Sequence, residues 1–239
     1  MWAWRWNWRA RGLAWLLHID VDELFFSRRH DAAQHFLLLD REKSDTAGYL
    51  NYEAVPEKTD ITDPFLEVEL FKIPELMKPG PDNDAGRQLL AATPQLQPKR
   101  THFYTNGKGA VRLSARNKRP RSVHGFGDPG APIEVSLSPT HFILHYACCG
   151  FESFWQKYRR LGRFADTWHA MTDINAAIGP LHLEARDVVA TGDRALALEF
   201  YRRRLAIEDA ARAEALIQHR VLVRIPGPRL ALAALRARK

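Results

Sequence analysis

Leu13–Phe26 reads LAWLLHIDVDELFF. Its apolar start, residues 14–19, has the length of a short buried strand and runs straight into Asp20, Asp22 and Glu23 before turning apolar again. Burying unpaired carboxylates is costly, so acids at the end of an apolar run mark a strand terminus that opens on water. In open α/β sheets, ligands bind outside the carboxyl ends of the strands. The stretch therefore predicts a central strand over 14–19 whose C-terminal end carries a site.

Composition bounds what surrounds that strand. A chain of 239 residues with 46% hydrophobic content can bury a sizeable core, which excludes disordered and fibrous classes. One globular domain is expected: a Trp- and Arg-rich terminus over 1–12, a main portion over 13–220 and a basic tail over 221–239. The formal charge of +7 favours an anionic partner. Lys and Arg are scattered and accompany no recognised nucleic-acid motif, so nucleic acid is not the expected one.

Cys148 and Cys149 are adjacent, which gives neither a disulfide framework nor zinc-site spacing, and both are expected to be buried thiols. No apolar run reaches the ~18 residues of a membrane span. Trp2, Trp4, Trp6 and Trp8 alternate with polar or small residues, a strand pattern or, with Arg5 and Arg9, an interfacial anchor.

Along the chain, apolar spacing predicts a helix over 29–41, strands over 49–55 and 65–73, and a surface excursion over 78–100 containing a short helical turn in GRQLLAA. An Asn-Gly turn follows, then strands over 110–113, 133–137 and 142–146. In GFESFWQKYRRLG, Phe151, Phe154, Trp155, Tyr158 and Leu161 recur at helical spacing, predicting an inward aromatic face that stops at Gly162. A long helix is expected over 195–220. Strands interspersed with helices make the class α/β, with a mixed sheet flanked by helices.

Asp-x-Asp alone is a weak signal, because a turn after a strand often carries acids that bond its own backbone. At a strand end, however, two carboxylates offer hard oxygen ligands to Mg²⁺ or Mn²⁺, whose shells are usually completed by substrate phosphates and water. A phosphatase of the haloacid-dehalogenase type also uses Asp-x-Asp after a strand. It requires Thr or Val where this chain has Leu24, and a second acid where GDRALA has Ala197. An EF-hand loop is poorer still, lacking the third ligand and the central glycine.

Together with NYEAVPE, GKGAVRL, SVHGFGD and ILHYACCGFESFWQKYRRLG, the opening stretch resembles glycosyltransferase family 92 and its family 2-like relatives, formerly a domain of unknown function. The resemblance runs from Leu13 to Arg204. It implies a GT-A-like fold and metal-dependent transfer of a sugar from a nucleotide-sugar donor, expected to be UDP-linked, to a glycan or glycoconjugate acceptor. The implied cofactor is Mn²⁺ or Mg²⁺. By this resemblance Asp20 contacts the donor ribose or bridges through the metal, Asp22 binds the metal, and Glu23 supports them. His124 is the first candidate to complete the metal's protein ligands and His145 the second, while His18 is structural.

Lys108 and Arg112 would meet the diphosphate, placing cations where leaving-group charge develops. The carboxylate that accepts the acceptor's proton is sought at Glu53, ahead of Asp128. The family places βαβ units ahead of its Asp-x-Asp, whereas only residues 1–12 precede this stretch, so an N-terminally truncated catalytic portion is expected. The alternative of a different class is a non-catalytic carbohydrate- or protein-binding remnant. The resemblance implies the Golgi or a membrane, while the sequence itself contains no membrane-spanning run, so location stays open.

Overall fold

The computed structural model describes residues 12–28, 31–74, 77, 83–96, 107–122, 124–128, 140–167 and 180–237. The alternating tryptophans and the strand predicted over 133–137 lie outside these residues. In chain order the elements are β1 (Trp15–Leu17), β2 (Glu23–Ser27), α1 (Ala32–Arg41), β3 (Thr46–Tyr49), β4 (Asn51–Ala54), α2 (Pro64–Glu67), β5 (Leu70–Lys72) and α3 (Asp84–Ala91). They continue with β6 (Lys108–Arg112), β7 (Arg119–Ser122), β8 (Gly125–Gly127), β9 (His141–His145), α4 (Phe151–Leu161), α5 (Leu181–Ala190), α6 (Arg194–Arg204), α7 (Ala210–Gln218), β10 (Leu222–Arg224) and α8 (Gly227–Arg236). The class is α/β, with a mixed sheet flanked by helices.

Two compact units divide the chain: Met1–Tyr52 with Thr105–His145, and Glu53–Tyr104 with Tyr146–Lys239. In the first, β6 lies between β1 and β3. Its antiparallel registers set Leu17 opposite Ala110 and Tyr49 opposite Lys108. Among the described residues the strand predicted to be central is thus an edge strand of three residues, and β6 holds the middle. Small residues explain the exchange: Gly109 and Ala110 let β6 be covered closely but give little hydrophobic signal.

Beside this sheet, β2 pairs antiparallel with β9, Glu23 facing His145 and Ser27 facing His141. Ala47, Tyr49, Ala110 and Ile143 form the core with Trp15, Leu17, Phe25, Phe36 and Leu39 packed on it. Asp31 caps α1 by accepting the Gln34 N–H at 2.7 Å, as a short acidic side chain does at a helix start. Within that core the rings of His35 and His141 stack at 3.8 Å, and His35 Nε2 lies 2.7 Å from the Tyr49 hydroxyl.

The second unit packs α4, α5 and α6 around Phe154, Trp155, Tyr158, Leu181, Ala185, Phe200 and Tyr201. The aromatic face of α4 is inward as predicted and Gly162 ends the helix at φ +61°, although Leu161, its last residue, is exposed. Cys148 and Cys149 are buried thiols outside any disulfide. The Tyr201 hydroxyl locks their turn by accepting the Gly150 N–H at 2.8 Å and donating to the Cys148 carbonyl at 3.0 Å. A second core joins β5, β10 and α7 through Leu70, Leu216, Val221 and Leu222.

Three sequence expectations are revised in this unit. Residues 65–73 are not one strand: Asp63 accepts the Phe65 N–H and Pro64 occupies the first turn, so a helical turn forms before β5. The helix expected over 195–220 is two helices. Between them Leu205, Ala206 and Ile207 are buried, the Ile207 N–H bonds the Pro56 carbonyl at 2.9 Å, and Asp209 caps α7. Residues 221–237, read as a tail, contain β10 and α8. Among the described residues no helix is long and apolar enough to cross a membrane.

Candidate functional site

The acids fall where the chain turns from β1 to β2. Asp20, Val21 and Asp22 lie between the two strands, which belong to different sheets, and Glu23 is the first residue of β2. The Glu23 N–H bonds the Asp20 carbonyl at 3.1 Å, and the Asp20 N–H returns a bond to Glu23 Oε2 at 2.8 Å. These reciprocal bonds close a tight turn with Val21 at its tip, 96% exposed.

A cation sits directly behind the turn. Lys108, at the start of β6, has its Nζ 2.6 Å from Asp20 Oδ2 and 3.4 Å from Glu23 Oε2. Its side chain is 1% exposed and that of Glu23 is 2%, whereas Asp20 is half exposed. A buried ammonium is stable only when paired, and the two carboxylates supply the pairing. On the neighbouring side Asp22 Oδ2 lies 3.7 Å from His145 Nε2, because the β2–β9 register sets Glu23 opposite His145.

His124 joins the same cluster through backbone contact. A Cβ on Gly109 would stand 2.7 Å from Gly125 Cα, and one on Gly107 would stand 1.7 Å from the Tyr49 carbonyl oxygen. Only glycines let β6 and the β8 segment approach so closely. His124 Nδ1 then lies 3.2 Å from the Gly107 carbonyl oxygen. That oxygen can only accept, so Nδ1 carries the proton and Nε2 keeps the lone pair. Burial, followed by the nearby Lys108 charge, lowers the His124 pKa, while the Gly107 carbonyl, Glu23 and Asp20 act in the opposite direction. A neutral imidazole with a free Nε2 lone pair can hold a metal or take a proton.

The structure thus gathers Asp20, Asp22, Glu23, Lys108, His124 and His145 within the first unit. Arg112 is not among them. At the far end of β6 its guanidinium donates to the Ser44 carbonyl at 2.8 Å and the Leu39 carbonyl at 3.1 Å, pairs with Asp40 at 3.2 Å and lies over the Trp15 ring. It finishes α1 by satisfying its last carbonyls, a frequent use of a cation at a helix C-terminus. Asp128 accepts from Asn117 and from Lys118 Nζ, each at 2.8 Å. Glu53 is buried on β4 in the second unit, opposite Lys72. His18 donates its backbone N–H to the Gly109 carbonyl at 3.4 Å. The GDRALA segment begins a helix: Asp193 accepts the Ala195 and Leu196 N–H groups at 2.9 and 3.0 Å.

Sequence reasoning named each acid of the turn but not the partnership of Lys108 with Asp20 and Glu23. It also missed the glycine contact that seats His124. Its one available signal was the recurrence of glycine at 107, 109 and 125, which reads as turn formation when the strands around it are unknown.

Among the described residues no three His, Cys, Asp or Glu side chains converge as a metal cage. Asp22 and His145 bring a carboxylate oxygen and an imidazole nitrogen within 3.7 Å of each other. Such a pair fits a hard divalent ion that keeps water or phosphate oxygens in its remaining positions.

Two proteins of Arabidopsis thaliana named glycosyltransferase-like are similar to this chain. One is 27% identical over 239 residues, covering 95% of this chain and 49% of that protein. The other is 31% identical over 159 residues, covering 63% of this chain and 29% of that protein. The chain therefore spans about half the length of the first relative and less than a third of the second. No protein-family model matches the chain, and no solved structure matches it. These similarities relate the chain to glycosyltransferase-like proteins.

Proposed function

We propose that this chain is the acid-turn portion of a family 92-like, GT-A-type glycosyltransferase domain, which moves a sugar from a UDP-linked donor to a glycan or glycoconjugate acceptor. The observation that carries the reading is the Asp20–Glu23 turn, exposed at its tip, braced from behind and flanked by His124 and His145. The names of the two plant relatives support the same class.

In this reading Asp22 and His145 would hold Mn²⁺ or Mg²⁺. Bound there, the ion would neutralise charge on the donor's diphosphate as it leaves. The exposed carboxylate oxygens of Asp20 are free to accept from the donor's ribose hydroxyls on the side away from Lys108. His124, fixed by the Gly107 carbonyl, presents Nε2 as a neutral acceptor toward the same cluster. Lys108 and Glu23 are buried behind the turn, which strengthens the contacts made there.

The test is calorimetric titration of the chain with UDP in the presence of Mn²⁺, repeated with Asp22→Asn. Saturable, Mn²⁺-dependent binding is expected, weakened at least tenfold by the substitution. Failure of the unsubstituted chain to bind UDP, or equal affinity in both proteins, would overturn the reading.

A further inference from the structure

We infer that Lys108 is the internal counter-cation of the acid turn: a positioning residue that fixes the Asp20–Glu23 loop in its working shape, and not a ligand of the diphosphate. Three observations carry this. The ammonium is sequestered, with 1% of its side chain exposed, so no ligand reaches it without dismantling the turn. It contacts two carboxylates at once, 2.6 Å from Asp20 and 3.4 Å from Glu23. Glu23 in turn accepts the Asp20 backbone N–H at 2.8 Å, so the same oxygen that faces the ammonium also shapes the backbone.

The electrostatic consequence is specific. Three carboxylates within four residues would repel one another and splay the loop. A single buried positive charge cancels one of them and ties a second, while Asp22 stands beside His145. Lys108 is held in place by its sheet, since β6 is bonded on both sides and Tyr49 of β3 lies opposite it in register. A lysine at the start of a central strand is thus made rigid, and its rigidity passes to a turn 88 positions earlier in the chain.

If the lysine is a brace, the shape of the turn depends on its charge whether or not any ligand is present. The consequence for donor binding rests on the transferase reading above: a loosened turn misplaces Asp22, so UDP affinity falls although no phosphate contact has been removed.

The experiment compares the full chain with Lys108→Met and Lys108→Arg, following amide hydrogen exchange at Asp20 and Glu23 by NMR and UDP affinity in Mn²⁺ by calorimetry. In Lys108→Met the two turn amides should exchange at least tenfold faster, with α4 amides unchanged, while Lys108→Arg stays within about threefold of the parent. UDP affinity should follow the same order. Unchanged turn exchange in Lys108→Met overturns the proposal. Should that variant fail to fold, Asp20→Asn takes its place: faster exchange at Glu23 supports the brace and an unaltered rate refutes it. A parent chain that binds no UDP, combined with a loosened turn in Lys108→Met, sinks the transferase reading and leaves the brace standing.

Discussion

Acid should weaken the second unit through one imidazole. His182, on α5, sets its Nδ1 2.8 Å from the Tyr158 hydroxyl of α4, beneath the aromatic cluster. Burial, aided by the nearby Lys157 charge, lowers its pKa from 6.5 to about 4. Above pH 6.5 the ring is neutral both folded and unfolded, so stability does not depend on it. Between 6.5 and about 4 the unfolded chain takes up a proton that the folded chain refuses, and stability falls as pH falls. Below that window both states are protonated and the loss is complete.

At about 1.4 kcal/mol per pKa unit the interval amounts to about 3 kcal/mol, and solvent at the partly exposed ring reduces this to about 2 kcal/mol. His182→Gln keeps a polar group toward Tyr158 and cannot titrate. Urea unfolding at pH 7.5 and pH 4 should therefore show a smaller acid loss in the variant. The difference would be about 1 M in midpoint for an m-value of about 2 kcal/mol/M. All other titrating groups are common to both proteins and cancel. Equal acid losses would refute the reasoning and mean that the ring is protonated in place or already well solvated.

Two further substitutions probe the frame. Trp155→Ala should cost about 3–5 kcal/mol, because the indole is buried in the core cluster of the second unit and its removal leaves a cavity; an unmoved urea midpoint would show that the face packs nothing. Gly109→Ala should cost about 1–3 kcal/mol, since its methyl meets the Gly125 backbone rather than a yielding side chain. Differential scanning calorimetry reads the loss, and an unshifted melting temperature would contradict the close approach of β6 and β8.

What the sequence disclosed depended on whether the controlling interaction was local. The aromatic helix was legible almost to the residue, since its spacing and Gly162 both act within one element. Residues 65–73 misled because their alternation is real, yet Asp63 and Pro64 make a stronger local statement immediately upstream. The long helix over 195–220 contained its own correction in Asp209, a capping residue in the middle of an apparent helical run. Burial of residues 205–207 against a distant segment supplied the rest, and no periodicity reveals that.

At the candidate site the acids were visible from their position after an apolar run, but their environment was not. Lys108 and Arg112 are four apart on one strand and looked equivalent. Register and neighbours separate them, sending one ammonium behind the acid turn and the other cation to the end of α1. The place of His124 follows from contact between glycines on two strands, whose meeting is decided by the tertiary fold alone.

The 88-residue separation between Asp20 and Lys108 also has a consequence in time. At a synthesis rate of ~5–20 residues per second, the acids are made roughly 4–18 s before their cation. Throughout that interval Glu23 must stay hydrated and β1 has no partner strand, because both await β6. Closing such a loop costs about 4 kcal/mol of chain entropy from its length alone, which makes docking of β6 a natural late event in the folding of this unit. A pulse-labelled nascent chain released before residue 108 would carry every acid of the turn and none of its order.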